Sequence, residues 1–330
     1  MKNEKIWAFL IHLGSNMWAK KGTTWGRNIL PEDFGYKETM YCDKEVWRKV
    51  TDFLPENGFN TIVIDIGEGL VLDSHPEIAV PGAWTKDELK DELARLRSLG
   101  LNPIPKYNFS CRHNAWMGLW AYRVGTPEYY EFCRDVIEET VEIFDNPPLF
   151  HLGFEEEEAP AEHEVNICRS PKKKIEDLNF MFDILRSKGV RPWIWFDMSI
   201  YKNYDEFEQV MPKDVLISPW FYGSIADRGS ATDIPKEAAP IRELDLRGYE
   251  QVPTTSTWSW HCNTKETMIY CRKYLDNGTV SGYMTAPWIL TTPSRLYALY
   301  NDAYTFGWAK KEIYSEEYDK YLEEFKANKS

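Results

Sequence analysis

Two hydrophobic patterns alternate along the chain. Short apolar runs rich in β-branched and aromatic residues read as strands: Trp7–Leu13, Thr61–Ile66, Asn102–Tyr107, Leu149–Phe154, Arg191–Phe196, Val215–Pro219, Gln251–Thr257 and Ser281–Ala286. Longer stretches between them repeat apolar positions every three or four residues and read as amphipathic helices. Their starts are well marked. "TKDELKDELARLRSLG" opens on Thr85 with Glu88 as a capping box and stops at Gly100. "TPEYYEFCRDVIEETVEIF" and "SPKKKIEDLNFMFDILRSKG" place Pro127 and Pro171 just after a Thr or Ser cap, and the second ends at Gly189. "TPSRLYALYNDAY" repeats the signature with Thr292 and Pro293, and a charged helix at about 315–328 should pack outside the rest.

Strands alternating with helices, without a break in composition, predict a single (β/α)8 barrel over residues 1–330. A doubly wound sheet is the other arrangement to weigh. It would want a glycine-rich phosphate turn after the first strand, and "HLGSNMWAK" is not G-x-G-x-x-G.

The composition narrows the function. Hydrophobic residues at 43% supply a full core, and a formal charge of −13 disfavours nucleic acid, whose phosphates need a basic face. The 14 Trp exceed what a core requires, and indoles suit places where a flat apolar surface meets a polar ligand, as on the C–H face of a sugar. Filling a large core is the alternative use for many of them. The six cysteines form no C-x-x-C pair and read as reduced thiols. The N-terminal apolar run is too short for a secretory signal and nothing is long enough to span a membrane, so the expectation is a cytoplasmic protein. A chain trimmed of an export signal would look the same. The oligomeric state is left open.

Barrel active sites form at the C-terminal ends of the strands. Those ends carry His12 and Asn16, then Asp65 and Glu68, Asn108 and His113, Glu155 and Glu156, Asp197, Trp220 and Tyr222, Trp258, Trp260 and His261, and finally Trp288. Such a rim, rich in carboxylates and Trp and poor in Lys and Arg, suits a neutral polyhydroxylated ligand. Adjacent carboxylates raise one another's pKa, which keeps one protonated for acid catalysis of glycoside cleavage. Glu155 and Glu156 are the candidate pair, whereas Glu157 and Glu158 should face water; a plain solvated acidic loop is the bland alternative. His151 should face inward in mid-strand, as a core histidine or as support for the acid, and Asp197 could bind a hydroxyl or simply cap a loop. His12, His113 and His261 with Asp65 nearby invite a metal site, but no H-x-H or H-E-x-x-H spacing supports one.

Three stretches then show a likeness. "GFNTIVIDIGEGLVLDSHPEI", "WTKDELKDELARLRSLGLNPIPKYNFSCRH" and "FHLGFEEE" resemble, in order and spacing, the second-strand, third-strand and fourth-strand signatures of glycoside hydrolase family 20, the β-N-acetylhexosaminidases. "GYMTAPW" is similar to that family's Trp-bearing eighth strand. The resemblance implies that Glu156, at the end of the family's G-G-D-E, is the general acid/base. It implies that Glu155, in place of the Asp, orients a 2-acetamido group for substrate-assisted retaining hydrolysis. Phe154 stands where the family has a second Gly, Asp65 and Glu68 replace a His and an Asp, and Pro105-Lys106-Tyr107-Asn108 replaces Pro-Glu-x-Asp. His113 matches the loop His after a one-residue insertion. No Arg follows strand one, and the seventh-strand Tyr and Asp have no match in "TSTWSWHCN".

The expectation is therefore an exo-acting, hexosaminidase-like glycosidase that takes an oligosaccharide or glycoconjugate and needs no cofactor or metal. Glu155 and Glu156 would be catalytic. Asp65, Glu68, Asn108, His113, His151, Asp197 and Tyr222 would contact the sugar, with Trp258, Trp260 and Trp288 as walls. A catalytically silent carbohydrate-binding barrel and a metal-dependent hydrolase are the other readings.

Overall fold

The computed structural model describes residues 4–22, 34–156, 167, 169–227 and 229–328. Eight parallel strands appear where the pattern predicts them: β1 (Ile6–His12), β2 (Thr61–Asp65), β3 (Asn102–Lys106), β4 (Leu149–His151), β5 (Arg191–Trp195), β6 (Leu216–Ser218), β7 (Thr254–Thr255) and β8 (Gly282–Thr285). A helix follows each in turn: α1 (Lys44–Phe53), α2 (Lys86–Ser98), α3 (Pro127–Ile143), α4 (Pro171–Ser187), α5 (Tyr204–Val210), α6 (Ala239–Leu246), α7 (Asn263–Tyr274) and α8 (Leu296–Ile313). The sheet runs β6-β5-β4-β3-β2-β1-β8-β7, and bridges Ile217–Gln251 and Trp220–Thr254 join β6 to β7. The ring closes, giving the (β/α)8 barrel that the alternation predicts.

The caps act as read. Thr85 and Glu88 form the complete capping box, and the Thr126 and Ser170 hydroxyls accept from the third helical N–H behind Pro127 and Pro171. At Thr292 the chain instead makes a short 3₁₀ turn before α8, and the hydroxyl pairs with Ser294 without capping. The charged C-terminal helix, α9 (Glu316–Ala327), lies outside the ring against α7, held by Arg272–Asp319 at 2.6 Å and by Phe325 under Lys273.

Period-two alternation divides the core into two layers. Trp7, Phe9, Ile11, Ile62, Ile64, Phe150 and Ile217 point outward into the layer between strands and helices. Ala8, Leu10, Val63, Ile104, Leu149, Trp193 and Leu216 fill the barrel interior. One step further along the same inward-facing rows, register places His12 beside Asp65, Asp65 beside Lys106 and Lys106 beside His151. The apolar interior therefore ends in a polar layer at the top.

Tight approach of β8 to β1 depends on Gly282, where a Cβ would stand 2.0 Å from the Ile6 carbonyl oxygen. Gly282→Ala should force the two strands apart and cost about 1–3 kcal/mol, the usual scale of overpacking, read as a lower urea midpoint with unchanged slope.

Candidate functional site

The polar layer is organised by a buried ion pair. Lys106 Nζ lies 2.8 Å from Asp65 Oδ2, and His12 Nδ1 approaches the same oxygen at 3.4 Å. Burial alone would raise the Asp65 carboxyl, but the Lys106 ammonium and the His12 contact outweigh it and hold the group well below the usual range. His151, fully buried, is pushed well below its ordinary value, first by burial and then by Lys106. It is thus neutral, and its Nδ1 accepts from the Gly153 N–H at 3.0 Å.

Above this layer β4 ends early. The pattern predicts a strand to Phe154, but Gly153, Phe154 and Glu156 have φ values of +72°, +71° and +49°, so the regular strand ends at His151 and the last backbone bonds to β3 and β5 are made by Leu152 and Gly153. Gly153 is required twice over: it takes the left-handed conformation, and a Cβ there would lie 2.4 Å from Asn108 Oδ1. Phe154 is strained for a residue with a side chain, and its ring is held under the Arg169 guanidinium, itself paired with Asp177 at 2.7 Å. The kink turns both following carboxylates toward the barrel mouth. Glu157 and Glu158 lie outside the described residues.

Glu155 and Glu156 stand on either edge of one imidazole. His113 Nδ1 is 3.6 Å from Glu155 Oε1, and His113 Nε2 is 3.5 Å from Glu156 Oε2. Asn108 Nδ2 adds a contact to Glu155 at 3.5 Å while its Oδ1 accepts from Ser110 at 2.7 Å. The two carboxylates have different surroundings. Glu155 is buried, and burial pushes its pKa up, with Glu156 adding to the rise and His113 and Lys106 opposing it. Glu156 is more open, at 39% side-chain exposure, with Arg112 at 3.5 Å.

These groups wall an open-topped cavity of about 280 Å³ lined by Met17, Trp18, Phe34, Arg112, His113, Glu155, Glu156, Trp220, Tyr222, Trp258 and Trp288. Trp288 keeps an unfavourable φ of +55°, with Trp18 and Tyr222 each about 6.3 Å away ring to ring. The indole N–H of Trp220 is buried and has no protein partner among the described residues, whereas that of Trp288 faces the Tyr222 phenol. An unsatisfied buried donor at a cavity wall suits a ligand with acceptors.

Of the residues singled out by sequence, the structure brings Glu155, Glu156, His113, Tyr222, Trp258 and Trp288 into the cavity lining; Asn108 is buried behind Glu155, and Asp65 and His151 are buried in the polar layer. Glu68 does not reach it. Its carboxylate is spent on the Ser15 and Asn16 backbone N–H groups at 2.7–3.1 Å, holding the loop after β1. Asp197 bonds Ser199 through its N–H and hydroxyl and caps a 3₁₀ turn. Trp260 does not line the cavity, and the His261 ring lies tilted against it at 4.9 Å and forms no ligand cluster with His12 and His113. Among the described residues no three His, Cys, Asp or Glu side chains converge as metal ligands. Lys106, Arg112, Met17, Trp18 and Phe34 were not singled out. Lys106 was open to detection, since alternation places Ile104, Lys106 and Asn108 on one inward row.

No protein-family model matches the chain, and no curated protein matches its sequence. Solved structures do. A β-N-acetylhexosaminidase from Bacteroides fragilis superposes with a TM-score of 0.56 at 15% identity, covering 91% of this chain and 66% of that one. A GH20 catalytic module of the pneumococcal exo-β-D-N-acetylglucosaminidase StrH gives 0.61 at 15%, covering 94% and 84%. A mutant Streptomyces plicatus β-hexosaminidase in complex with the product GlcNAc gives 0.60 at 15%, covering 92% and 63%. This chain thus spans about two thirds of the length of several enzymes it superposes on.

Two stability predictions follow from the buried charges. Lys106→Met leaves Asp65 without its ammonium partner and should cost about 3–5 kcal/mol at pH 7. Its carboxyl then rises above the unfolded value, so the loss should shrink as pH falls, and Asp65→Asn with Lys106→Met should recover most of it; denaturant titration at several pH values reads both. Asp302 on α8 is the second case: buried, it accepts from Thr285 Oγ1 at 2.9 Å and the Thr257 N–H at 3.2 Å, and burial raises it to about 6. A carboxyl raised in the folded state binds more protons there than in the unfolded chain, so stability should fall as pH climbs from about 4 to 6, by roughly 3 kcal/mol. Asp302→Asn should flatten that slope.

At this level of identity the likeness is one of fold: the chain carries a divergent form of the barrel seen in the family 20 β-N-acetylhexosaminidases.

Proposed function

We propose that residues 1–330 form a glycoside hydrolase that removes a terminal sugar from an oligosaccharide or glycoconjugate. The observation that carries this reading is the placement of Glu155 and Glu156 on the two edges of the His113 imidazole, beside an aromatic cavity. Glycosidic cleavage needs a proton donor for the departing oxygen and a second group to stabilise the anomeric centre. Two carboxylates with different burial, at one strand end, meet that need. The cavity is closed beneath by the Asp65–Lys106 layer, which favours a chain end over an internal unit. The unpartnered Trp220 N–H would meet an acceptor on the sugar, and the Tyr222 phenol, raised first by burial and then by the nearby Glu155 carboxylate, would stay protonated as a donor.

Glu156 serves as general acid/base, reached from the open side where the leaving group would lie. Glu155 polarises or orients the 2-substituent, a β-linked N-acetylhexosamine being the candidate. One observation favours the exchanged assignment: burial raises Glu155, which would keep the proton on that residue. The free thiols of the described cysteines fit a reducing, cytoplasmic setting. No helix among the described residues is long and apolar enough to cross a membrane.

A panel of aryl glycosides, with and without 2-acetamido groups, tests the reading. Removing the acid should cost about 10²–10⁴-fold in kcat with a poor leaving group and far less with dinitrophenol, which departs without a proton. Glu156→Gln should show that pattern. If Glu155→Gln shows it instead, the roles are exchanged. If the wild type cleaves no glycoside, the hydrolase reading fails and the barrel is a silent binder; if both variants keep full activity, neither Glu155 nor Glu156 is the acid and the site assignment fails.

A further inference from the structure

The last barrel helix, α8, packs its inner face on the barrel through Leu299, Ala303, Phe306 and Ile313. Its outer face carries Tyr297, Asn301, Tyr304, Trp308 and Lys311, all exposed and spaced by four, three, four and three residues. A solvated helix face ordinarily carries charged residues, whereas a four-three repeat of large side chains is the seam along which one helix packs on another. Tyr297, Tyr304 and Trp308 are 84%, 60% and 45% exposed. At about 200 Å² per ring, those fractions leave roughly 400 Å² of aromatic surface in water, half of what each partner buries in a stable interface.

The two halves of this face differ in shape. The first half holds a projecting ring, Tyr297. The second half borders a surface cavity of about 530 Å³ whose lining includes Tyr304, Trp308, Lys311 and, from the turn before β2, Glu56. Trp308 is already fixed in place: Lys265 of α7 lies over its ring at 4.5 Å and is held in turn by Glu312 at 2.5 Å. A ring immobilised before contact loses less entropy on docking.

A knob and a hollow on one helix are met together by a second copy of that helix run in the opposite direction. A two-fold axis beside Tyr304 sets Tyr304 against itself. It sets Tyr297 against Lys311, seven residues to either side, so each copy's Tyr297 enters the other's cavity. The charges suit that pairing. Lys311 meets the face of a Tyr ring and not a second cation, and the Glu56 carboxylate in the cavity offers an acceptor to the phenol. A parallel pair would set Lys311 on Lys311 and leave both cavities without a ring.

We infer that the protein forms a homodimer in which the outer faces of two α8 helices pack antiparallel, Tyr297 of each copy filling the cavity beside Trp308 of the other. The inference stands apart from the hydrolase reading, because none of these residues lines the Glu155–Glu156 cavity.

Sedimentation velocity at about 20 µM should give twice the chain mass. Tyr297→Ala and Trp308→Ala each remove an exposed ring and should weaken dimerisation at least about 30-fold at unchanged Tm, the loss expected for an interface anchor. Cysteine variants read the direction of pairing. Under mild oxidation Tyr304→Cys should cross-link to itself well above the wild-type background, and Tyr297→Cys should cross-link only when mixed with Lys311→Cys. A wild type of single-chain mass or a dimer indifferent to both alanine changes would overturn the inference. So would a Tyr304→Cys protein that fails to link, or a Tyr297→Cys protein that links to itself. Species that grow past the dimer with concentration would also overturn it, since head-to-tail docking of ring into cavity makes open chains.

Discussion

The Asp65–Lys106 pair marks the level at which the barrel interior changes from apolar core to site. Below it, Leu10, Val63, Ile104 and Leu149 interdigitate as in any closed barrel. Above it, the inward positions are shared between aromatic side chains such as Trp195 and Trp288 and the polar groups of the site. A buried ion pair is a poor source of net stability, because desolvating both charges consumes most of what their attraction returns. What it contributes here is a fixed electrostatic floor. Asp65 is neutralised by Lys106, and His151 is held uncharged beside them. Glu155 is then left, like Asp302 and Glu68, a buried carboxyl without an ammonium partner of its own, the Lys106 beneath it being already paired with Asp65.

A second constraint is conformational. Three left-handed residues within four positions end β4, and only one of them is glycine. Phe154 and Glu156 each occupy a region that costs free energy for a residue with a side chain, and the surroundings hold them there. Arg169 clamps the Phe154 ring, and Asn108 fills the space that a side chain on Gly153 would need. A regular strand would send Glu155 and Glu156 to opposite faces, one into the barrel and one toward the helices. The kink is what brings both to His113, so the strain and the pairing of carboxylates have a single origin.

Much of the fold was legible because its causes are local. Strand positions follow from apolar runs and helix starts from Thr85, Thr126 and Ser170, all short-range signals. The end of β4 was not, since alternation says which way a side chain points but not where a strand stops. The site was legible where residues sit at strand ends: Glu155, Glu156, His113, Tyr222 and Trp288 converge. It failed where a neighbour in space claims the side chain. Glu68 is taken by two backbone N–H groups of the β1 loop and Trp260 by Glu266, contacts separated by 52 or 53 residues in one case and by six in the other. Arg112 and Trp18 escaped notice because they lie on loops, where no periodicity marks an inward residue.

The aromatic walls bear on the acid pair as much as on the ligand. The ring faces replace water around Glu155 without compensating its charge, so burial by the aromatic wall raises the free energy of the ionised form. Glu156, one residue on, keeps contact with solvent and with Arg112. The same Trp-rich wall therefore performs two tasks through one property. It gives the cavity a flat apolar surface, and by burying Glu155 it raises that carboxyl's pKa. Phe154, Glu155 and Lys106 belong together in this light: an acidic side chain carried on a left-handed turn, over a floor in which Lys106 is already paired with Asp65.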